Sequence, residues 1–325
     1  MKLGILGTGM IVQDLLKTYD LFNIEKTYIL STPHSLEKAN DLVKQYHLDK
    51  IYTDYDELLE SDIDTVYVAL PNHLHYSFAK KALLKGKHII MEKPITSNSR
   101  ELEELIEIAS NNKLIIIEAV NLHHLPAFKS LKEDLDKCGK IKIVSFNYSQ
   151  YSSRYNAFKE GTILPAFDYH KSGGALMDLN VYNINALVGL FGEPKDNTYS
   201  ANISKGIDTS GIMTLDYGDF KAVSIGAKDC KAPMMNTIQG DQAAIVINSQ
   251  LSIMHEYTIY YNNGETEVKT FENDHHRLYY EFIEFIDIID HLDYDRAKVL
   301  LNNSLIISKL MEKGRKQEGI IFDND

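Results

Sequence analysis

The chain has 325 residues and a mass of 37.0 kDa, and at about 150 residues per domain this length predicts two domains with ample core. Hydrophobic residues make up 44% and charged residues 25% of the sequence, with 18 glycines and 7 prolines, which excludes a disordered, collagenous or low-complexity protein. The 34 basic against 46 acidic residues give a net charge of −12, so we expect neither nucleic acid nor an anionic membrane as a partner.

The cysteine content and the hydropathy pattern bear on the compartment. Cys138 and Cys230 are far apart and have no metal-type spacing, which favours free thiols in a reducing environment. No apolar stretch approaches the roughly 20 residues of a membrane span, and the N-terminal segment lacks the pattern of a signal peptide. We therefore expect a cytoplasmic protein.

The first 120 residues alternate between strand and helix patterns. A short apolar strand, 2–6, ends in a glycine turn, and a helix over 10–19 follows. The same alternation predicts further strands and helices in this order: strand 27–30, helix 36–46, strand 65–70, helix 76–84, strand 88–91, helix 99–110 and strand 114–118. The pattern predicts an α/β domain over residues 1–120, with a doubly wound parallel sheet.

From residue 121 the pattern changes to short strands with hairpin signals such as Asn262-Asn263-Gly264. The predicted strands are 140–148, 212–216, 220–226, 235–240, 243–248, 257–261 and 265–271. The predicted helices are 127–136, 176–190, 277–289 and 296–313. Residues 121–325 are therefore expected to form an α+β domain with a mostly antiparallel sheet.

The glycine turn is a candidate phosphate site. Gly7, Thr8, Gly9 and Met10 lie where the first strand gives way to the first helix. Glycines let the backbone approach a pyrophosphate, and the helix N-terminus supplies N–H donors. Val12 occupies the position of the third glycine in the usual fingerprint. The context favours a dinucleotide site, with a simple tight turn as the alternative.

The end of the second strand bears on the choice of cofactor. An acidic residue here would bind the adenosine ribose of NAD, but the segment contains no carboxylate. Ser31, Thr32 and His34 offer hydroxyls and an imidazole that suit a 2′-phosphate. We therefore expect NADP or NAD, with NADP favoured; the alternative is a polar loop that leaves the ribose to solvent.

Four motifs occur in order along the chain. They are Gly7-Thr8-Gly9-Met10, Leu70-Pro71-Asn72-His73-Leu74-His75, Glu92-Lys93-Pro94 and Gly173-Gly174-Ala175-Leu176-Met177-Asp178. Together they resemble the glucose–fructose oxidoreductase, inositol dehydrogenase and MocA (Gfo/Idh/MocA) family of nicotinamide oxidoreductases over essentially the whole length. The resemblance implies a Rossmann domain followed by an α+β domain with a large open-faced sheet, used for oligomer contacts. A homodimer or homotetramer is expected.

The resemblance also assigns roles to motif residues. In the family the lysine of Glu-Lys-Pro is the central catalytic group, which here is Lys93. An ammonium at the end of a strand can polarise a carbonyl or favour ionisation of a hydroxyl. The family pattern implies a cis peptide bond before Pro94. It also places Leu70, Pro71, Asn72, His75 and Glu92 with Lys93 among the cofactor-binding residues.

Asp178 and Tyr182 are four residues apart, so a helix here puts both on one face. In the inositol dehydrogenase branch the second position is histidine, whereas Tyr182 resembles the glucose–fructose oxidoreductase and dihydrodiol dehydrogenase branch. A tyrosine with an ordinary pKa of about 10 needs a nearby cation to act as an acid at neutral pH. We therefore expect Lys93 and Tyr182 to move the proton, and Asp178 to orient them or to bind a substrate hydroxyl.

The remaining polar residues give weaker indications. His-x-His pairs such as His73 and His75 can supply two metal ligands, but no cysteine or carboxylate cluster completes a site, so we expect no metal. His123 falls where the dihydrodiol dehydrogenase branch usually has arginine. Residues before the Gly-Gly pair could line a polar pocket or form a solvated loop; they are Tyr151, Arg154, Asp168, His170 and Lys171.

The sequence predicts an NAD(P)-dependent oxidoreductase that moves a hydride between nicotinamide and a secondary alcohol or ketone. A sugar, polyol or related cyclic compound is the expected substrate. A non-enzymatic dinucleotide sensor or corepressor on the same fold is the main alternative, and a redox-neutral hydrolase is a third. Retention of Lys93, Asp178 and Tyr182 together favours the enzyme.

Overall fold

The computed structural model describes residues 1–272 and 274–325. These divide into two compact units, the first formed by residues 1–119 and 274–305 and the second by the rest. The sequence placed one boundary at residue 120 and assigned all of 121–325 to the second domain. The structure instead returns 274–305 to the first unit, because Leu278, Phe282 and Phe285 are buried in its core. Sequence reasoning missed this return because the contacts involved join residues far apart in the chain.

The first unit contains a six-stranded sheet in the order β3-β2-β1-β4-β5-β6, with every pair parallel. Its strands are β1 (Lys2–Leu6), β2 (Lys26–Leu30), β3 (Lys50–Tyr52), β4 (Thr65–Val68), β5 (His88–Glu92) and β6 (Ile116–Ala119). Its helices are α1 (Met10–Leu16), α2 (Leu36–Tyr46), α3 (Tyr55–Glu60), α4 (His75–Leu84), α5 (Ser99–Asn112) and α9 (Arg277–Asp290). The doubly wound parallel sheet is confirmed. The sequence missed β3 and α3, which are too short to show periodicity.

The strand order positions the candidate site. β1 pairs with β2 on one side and with β4 on the other, so the chain reverses its winding direction between β1 and β4. Loops at this point leave in opposite directions and open a crevice at the carboxyl ends of the strands. β4 and β6 are wholly buried and β1, β2 and β5 mostly so, as parallel strands covered on both faces require, whereas the edge strand β3 has no buried residue.

The second unit contains an eight-stranded sheet in the order β14-β13-β12-β11-β7-β10-β9-β8. Its strands are β7 (Ile141–Ser149), β8 (Asp196–Ser204), β9 (Ile207–Asp216), β10 (Lys221–Ala227), β11 (Asn236–Gly240), β12 (Ala243–Ile247), β13 (Glu256–Tyr261) and β14 (Thr266–Thr270). β7 and β10 are parallel, and the other pairs are antiparallel. The expected mostly antiparallel sheet is confirmed, although the sequence missed β8, whose residues are largely polar.

Helices cover one face of this sheet. They include α6 (Pro126–Asp134), α7 (Tyr155–Lys159) and α8 (Val181–Phe191), and a π-helical turn, Leu176–Asn180, leads directly into α8. The last helix, α10 (Tyr294–Gln317), begins in the first unit and ends in the second. The side chains of β7 alternate, with Phe146 buried and Ile143 49% exposed on the opposite face. Among the described residues, no helix is long and apolar enough to cross a membrane.

Candidate active site

The turn between β1 and α1 fits the pyrophosphate of a dinucleotide. Gly7 has a φ of +103°, and a Cβ atom there would lie 3.0 Å from the Ala69 carbonyl oxygen, so the close approach of the β1 and β4 loops requires glycine. Gly9 precedes α1 without a side-chain cap, and a Cβ atom there would meet nothing within 4 Å. The Gln13 amide donates to the carbonyls of Thr8 and Gly9, both at 3.1 Å. Open space before an uncapped helix N-terminus is the environment that a phosphate needs.

The loop after β2 is polar and contains no carboxylate. Ser31 is buried, and its hydroxyl lies 2.9 Å from that of Ser35. Thr32 and Ser35 form a capping box around a single 3₁₀ turn, which leaves Thr32 and His34 exposed. The exposed hydroxyl and imidazole sit where the adenosine ribose lies in Rossmann domains.

His75 joins the loops that follow β4 and β5. Its Nε2 atom is 2.7 Å from the Leu70 carbonyl oxygen and its Nδ1 atom is 3.0 Å from the Pro94 carbonyl oxygen. The side chain has no exposed surface, and burial lowers its pKa. His75 therefore fixes the position of both loops. Whether it also touches the cofactor remains a prediction.

Lys93 follows the last residue of β5 and is half-buried. The peptide bond to Pro94 is cis, which confirms the expectation drawn from the family pattern. The preceding Glu92 is buried and accepts a hydrogen bond from the Tyr67 hydroxyl. Burial raises the pKa of Glu92, and the nearby Lys93 charge opposes this rise. The site in this unit is thus an ammonium next to a buried carboxyl group.

Two more buried acids lie in the same unit, and sequence reasoning missed both. Glu118 on β6 accepts a hydrogen bond of 3.0 Å from the backbone of Ile95, and burial raises its pKa to about 7. Glu281 on α9 is 1% exposed, and burial together with the charge of Glu92 raises its pKa well above the ordinary value. The detectable signal was a glutamate within the apolar face of α9.

The Gly-Gly pair before Asp178 is closely packed. A Cβ atom on Gly173 would lie 2.5 Å from the Pro165 carbonyl oxygen, and one on Gly174, whose φ is +106°, would lie 2.0 Å from the Asp208 carboxylate. The Asp208 carboxylate accepts hydrogen bonds from the Leu176 backbone at 2.6 Å and from the Tyr199 hydroxyl at 2.8 Å. The glycines therefore allow a buried carboxylate to hold the start of the helical segment.

Asp178 and Tyr182 share an accessible face. Of residues 173–190, only Asp178, Leu179, Tyr182 and Gly189 keep partial exposure, so the polar side chains with accessible surface are one carboxylate and one phenol. Asp178 lies in the π-helical turn and Tyr182 in the first turn of α8. Single π-helical turns occur frequently at functional sites. The Tyr182 ring lies 5.9 Å from that of Tyr148.

A buried lysine that sequence reasoning missed contacts Asp178. The Lys228 Nζ atom lies 2.7 Å from the Asp178 Oδ2 atom, and the lysine side chain is only 2% exposed. Nothing in the local sequence indicates this, because Lys228 follows β10 and is 50 residues away. Lys93 thus belongs to the first unit, whereas Asp178, Tyr182 and Lys228 belong to the second.

The histidines do not form a metal centre in the described part of the chain, where no group of three or more ligating side chains is found. His123 is 3.1 Å from the Asn185 side-chain oxygen and lies edge-on against Phe128. Burial lowers the pKa of His123 to about 4. Among the polar loop residues, His170 pairs with Asp323 at 2.8 Å on the surface, as a solvated loop residue would.

Comparison with known proteins agrees with this geometry. A family model described as an oxidoreductase family with an NAD-binding Rossmann fold matches residues 1–120. The scyllo-inositol 2-dehydrogenase (NADP(+)) IolU of Bacillus subtilis is 35% identical to the chain, over 100% of this chain and 99% of the relative. The trans-1,2-dihydrobenzene-1,2-diol dehydrogenase of Xenopus laevis is 25% identical, over 76% of this chain and 75% of its own.

A solved structure shares the fold. The 3-ketoreductase from Actinomadura kijaniata in complex with NADP and TDP-benzene matches with a TM-score of 0.83 and 20% identity, covering 97% of both chains. That likeness supports the fold alone, while the full-length relative at 35% identity establishes the family. Oxidoreductase activity and a nicotinamide dinucleotide cofactor, both expected from the sequence, are confirmed at this level. The chain belongs to the Gfo/Idh/MocA family of oxidoreductases, and its first 120 residues are the NAD-binding Rossmann part.

Proposed function

We propose that the protein is an NADP-dependent dehydrogenase or reductase acting on a CH–OH group of a cyclic polyol or sugar. The observation that carries the proposal is the accessible face of the segment 173–190, where Asp178 and Tyr182 supply a hydrogen-bond acceptor and a proton donor. The full-length relative, a scyllo-inositol 2-dehydrogenase, supports the substrate class. A ring bearing several hydroxyls offers both the reacting group and a neighbour for the carboxylate.

Each candidate residue then has a physical task. The turn Gly7–Met10 would hold the pyrophosphate of the dinucleotide. The nicotinamide of the bound dinucleotide would accept or supply the hydride. The Lys93 ammonium stabilises negative charge on the reacting oxygen, and the Tyr182 hydroxyl gives or takes its proton. Asp178 binds a second substrate hydroxyl.

The cofactor preference rests on the loop after β2. Thr32 and His34 are exposed there and no carboxylate is present in 31–35, so nothing in the loop repels a 2′-phosphate. NADP should bind at least as tightly as NAD in a fluorescence titration. A preference for NAD of more than tenfold, which is about 1.4 kcal/mol, would contradict this assignment.

The open face of the eight-stranded sheet supports the proposed homodimer or homotetramer. Several apolar side chains of different strands are exposed there: Ile143 on β7, Ile212 on β9, Tyr260 on β13 and Val268 on β14. An apolar patch of this kind marks an interface. Sedimentation should show an oligomer in the wild type and in an Ile163→Lys surface control, and a shift toward monomer in Ile143→Lys/Ile212→Lys. A monomeric wild type at all concentrations would refute the proposal.

The decisive experiment for the enzyme is a substrate panel. Cyclic polyols, sugars and their ketones are offered with NADP or NAD, and absorbance of the reduced nicotinamide is followed. Turnover of an inositol or a related ring is expected. Inactivity across the panel, with both cofactors bound, would favour the sensor or corepressor.

The free thiols Cys138 and Cys230 support a reducing compartment such as the cytoplasm.

A further inference from the structure

Lys228 is a buried cation with an unusual set of contacts. Its side chain is 2% exposed, and its Nζ atom donates to the Ala166 carbonyl oxygen at 2.6 Å and to the Asp178 carboxylate at 2.7 Å. The same atom lies 4.6 Å from the centroid of the Phe167 ring. Removing an ammonium from water is costly unless such contacts replace its hydration. The carbonyl, the carboxylate and the ring thus replace the hydration of the Lys228 ammonium.

The partner of this charge is not itself buried. The Asp178 side chain contacts the buried ammonium and is 35% exposed, so part of its surface is accessible. The backbone of Asp178 is held independently, since its N–H donates to the Gly174 carbonyl at 3.1 Å. Asp208 fixes the start of the same turn by accepting a hydrogen bond from the Leu176 N–H at 2.6 Å. The carboxylate is thus held in position from both its backbone and its side chain.

Other titratable groups surround this pair, and most are engaged elsewhere. Asp208 on β9 accepts from Tyr199, and Asp229 next to Lys228 accepts from Thr209 and Ser210 at 2.7 and 3.0 Å. Further titratable groups on neighbouring elements include Tyr182 on α8 and, in the segment that supplies the Ala166 carbonyl, Asp168, His170 and Lys171. Asp168 accepts a hydrogen bond from the His170 backbone at 3.0 Å. Asp178 is therefore the accessible acid that the buried ammonium contacts.

We propose that Lys228 is a positioning residue that keeps Asp178 ionised and oriented, so that Asp178 accepts a hydrogen bond from a second hydroxyl of the substrate. The inference rests on the proposed function and narrows its substrate class. An ionised carboxylate only accepts hydrogen bonds, so it selects a ring with a hydroxyl near the reacting carbon. It also assigns proton transfer to Tyr182 and not to Asp178.

The first test does not depend on activity. Asp178 is followed by ¹³C NMR of the full chain labelled at aspartate carboxyls, with its signal assigned by its loss in Asp178→Asn. A cation within hydrogen-bond distance lowers an acid's midpoint by about 1–3 pH units. Asp178 should therefore titrate below the ordinary aspartate range in the wild type, and about 1–3 units higher in Lys228→Met. An ordinary wild-type midpoint would overturn the proposal even if Lys228→Met failed to fold.

The second test separates positioning from stability. Lys228→Met should lower kcat/KM for scyllo-inositol at pH 7 at least tenfold, mainly by raising KM. It should also shift the acidic limb of the profile of kcat/KM against pH to higher pH. NADP affinity should stay within twofold of the wild type. For cyclohexanol, which has no second hydroxyl, the loss should be less than twofold. An equal loss for both substrates would mean that Lys228 does not act through Asp178.

A double-mutant cycle and a matched control complete the design. If Lys228 acts only through Asp178, then Lys228→Met should change kcat/KM less than twofold in an Asp178→Asn background. Arg315 and Asp325 form another buried pair in the same unit, 2.5 Å apart and remote from the site residues in sequence. Arg315→Met should lower Tm without moving the acidic limb. If Lys228→Met behaves like Arg315→Met, its role is structural and the proposal fails.

Failure of the two proposals can be told apart. If no substrate turns over but the Asp178 midpoint shifts as expected, the proposed function fails while the effect of Lys228 on Asp178 stands. If substrates turn over and the Asp178 midpoint does not shift, the proposed function stands and the proposed effect of Lys228 on Asp178 fails.

Discussion

Glu118 in the first unit and Asp178 in the second are both acids near predicted catalytic groups, but their surroundings differ. Glu118 is buried on β6, and burial raises its pKa to about 7 despite the nearby charge of Lys93. Asp178 is partly exposed and contacts the buried ammonium of Lys228 at 2.7 Å. One acid can hold a proton at neutral pH, whereas the other is kept as an acceptor.

The two acids differ because the two units bury different kinds of charged group. In the first unit the buried acids Glu92, Glu118 and Glu281 lie at or near the carboxyl edge of the parallel sheet, and burial raises the pKa of each. In the second unit a buried cation is paired with an accessible acid. In the first unit the Lys93 ammonium lies near Glu118, an acid that changes charge near pH 7. In the second unit Lys228 holds the Asp178 carboxylate in one position. Enzymes place such perturbed groups at functional sites.

The largest expected effect comes from removing the cation of the first unit. In the proposed mechanism Lys93→Met removes the charge that stabilises the reacting oxygen, so kcat should fall on the order of a hundredfold or more. The Kd for NADP should stay nearly unchanged, because the turn at Gly7 and Gly9 is untouched. Stopped-flow or steady-state assays measure the first quantity, and titration measures the second. Lys85→Met, a surface change in the same unit, is the control.

Adding Tyr182→Phe tests whether the residues act as one unit. The double variant should lose less activity than the product of the single losses, because the proposed mechanism makes Tyr182 the proton donor and Lys93 the charge that activates it, so their effects are not independent. Full activity in Lys93→Met would refute the mechanism even if the enzyme class holds.

A smaller effect is expected from Glu118, and it concerns stability. The ordinary glutamate pKa is 4.5, and in the folded protein that of Glu118 is about 7. The folded state therefore binds a proton that the unfolded state has released, and the free energy of unfolding falls as pH rises from about 4.5 to about 7. Glu118→Gln should remove this dependence and be about 3 kcal/mol more stable than the wild type at neutral pH, the free energy that corresponds to the rise in pKa from 4.5 to about 7.

Urea unfolding at pH 5, 6 and 7 measures this effect. The exposed Glu107→Gln serves as the control, and its stability should follow the wild-type pH dependence. If the free energies of unfolding of Glu118→Gln and the wild type differ by the same amount at all three pH values, Glu118 does not hold its proton. The contrast with Asp178 then disappears.

The sequence predicted what local patterns encode. The glycine turn, the β/α alternation and the i,i+4 pair Asp178 and Tyr182 were all visible, because each depends on residues close together in the chain. Lys228 was not, because 50 residues separate it from Asp178 and only the packing of the π-helical turn against β10 brings them together. The return of α9 to the first unit was missed for the same reason, although Glu281 on its apolar face was a readable anomaly.

The smallest effect is expected at His123, and its sign is opposite to that of Glu118. Burial lowers the pKa of His123 from 6.5 to about 4, so the folded state resists a proton that the unfolded state accepts. The free energy of unfolding should therefore fall as pH drops from about 6.5 toward 4. Because the ring keeps some exposure, His123→Gln should reduce this loss by only about 1 kcal/mol. The exposed His255→Gln is the control in the same unit, and unfolding at pH 4.5 and 7 gives the comparison. The Glu118→Gln background removes the contribution of Glu118. If a protein with this background and an intact His123 has the same free energy of unfolding at pH 4.5 and pH 7, His123 is charged in the folded state.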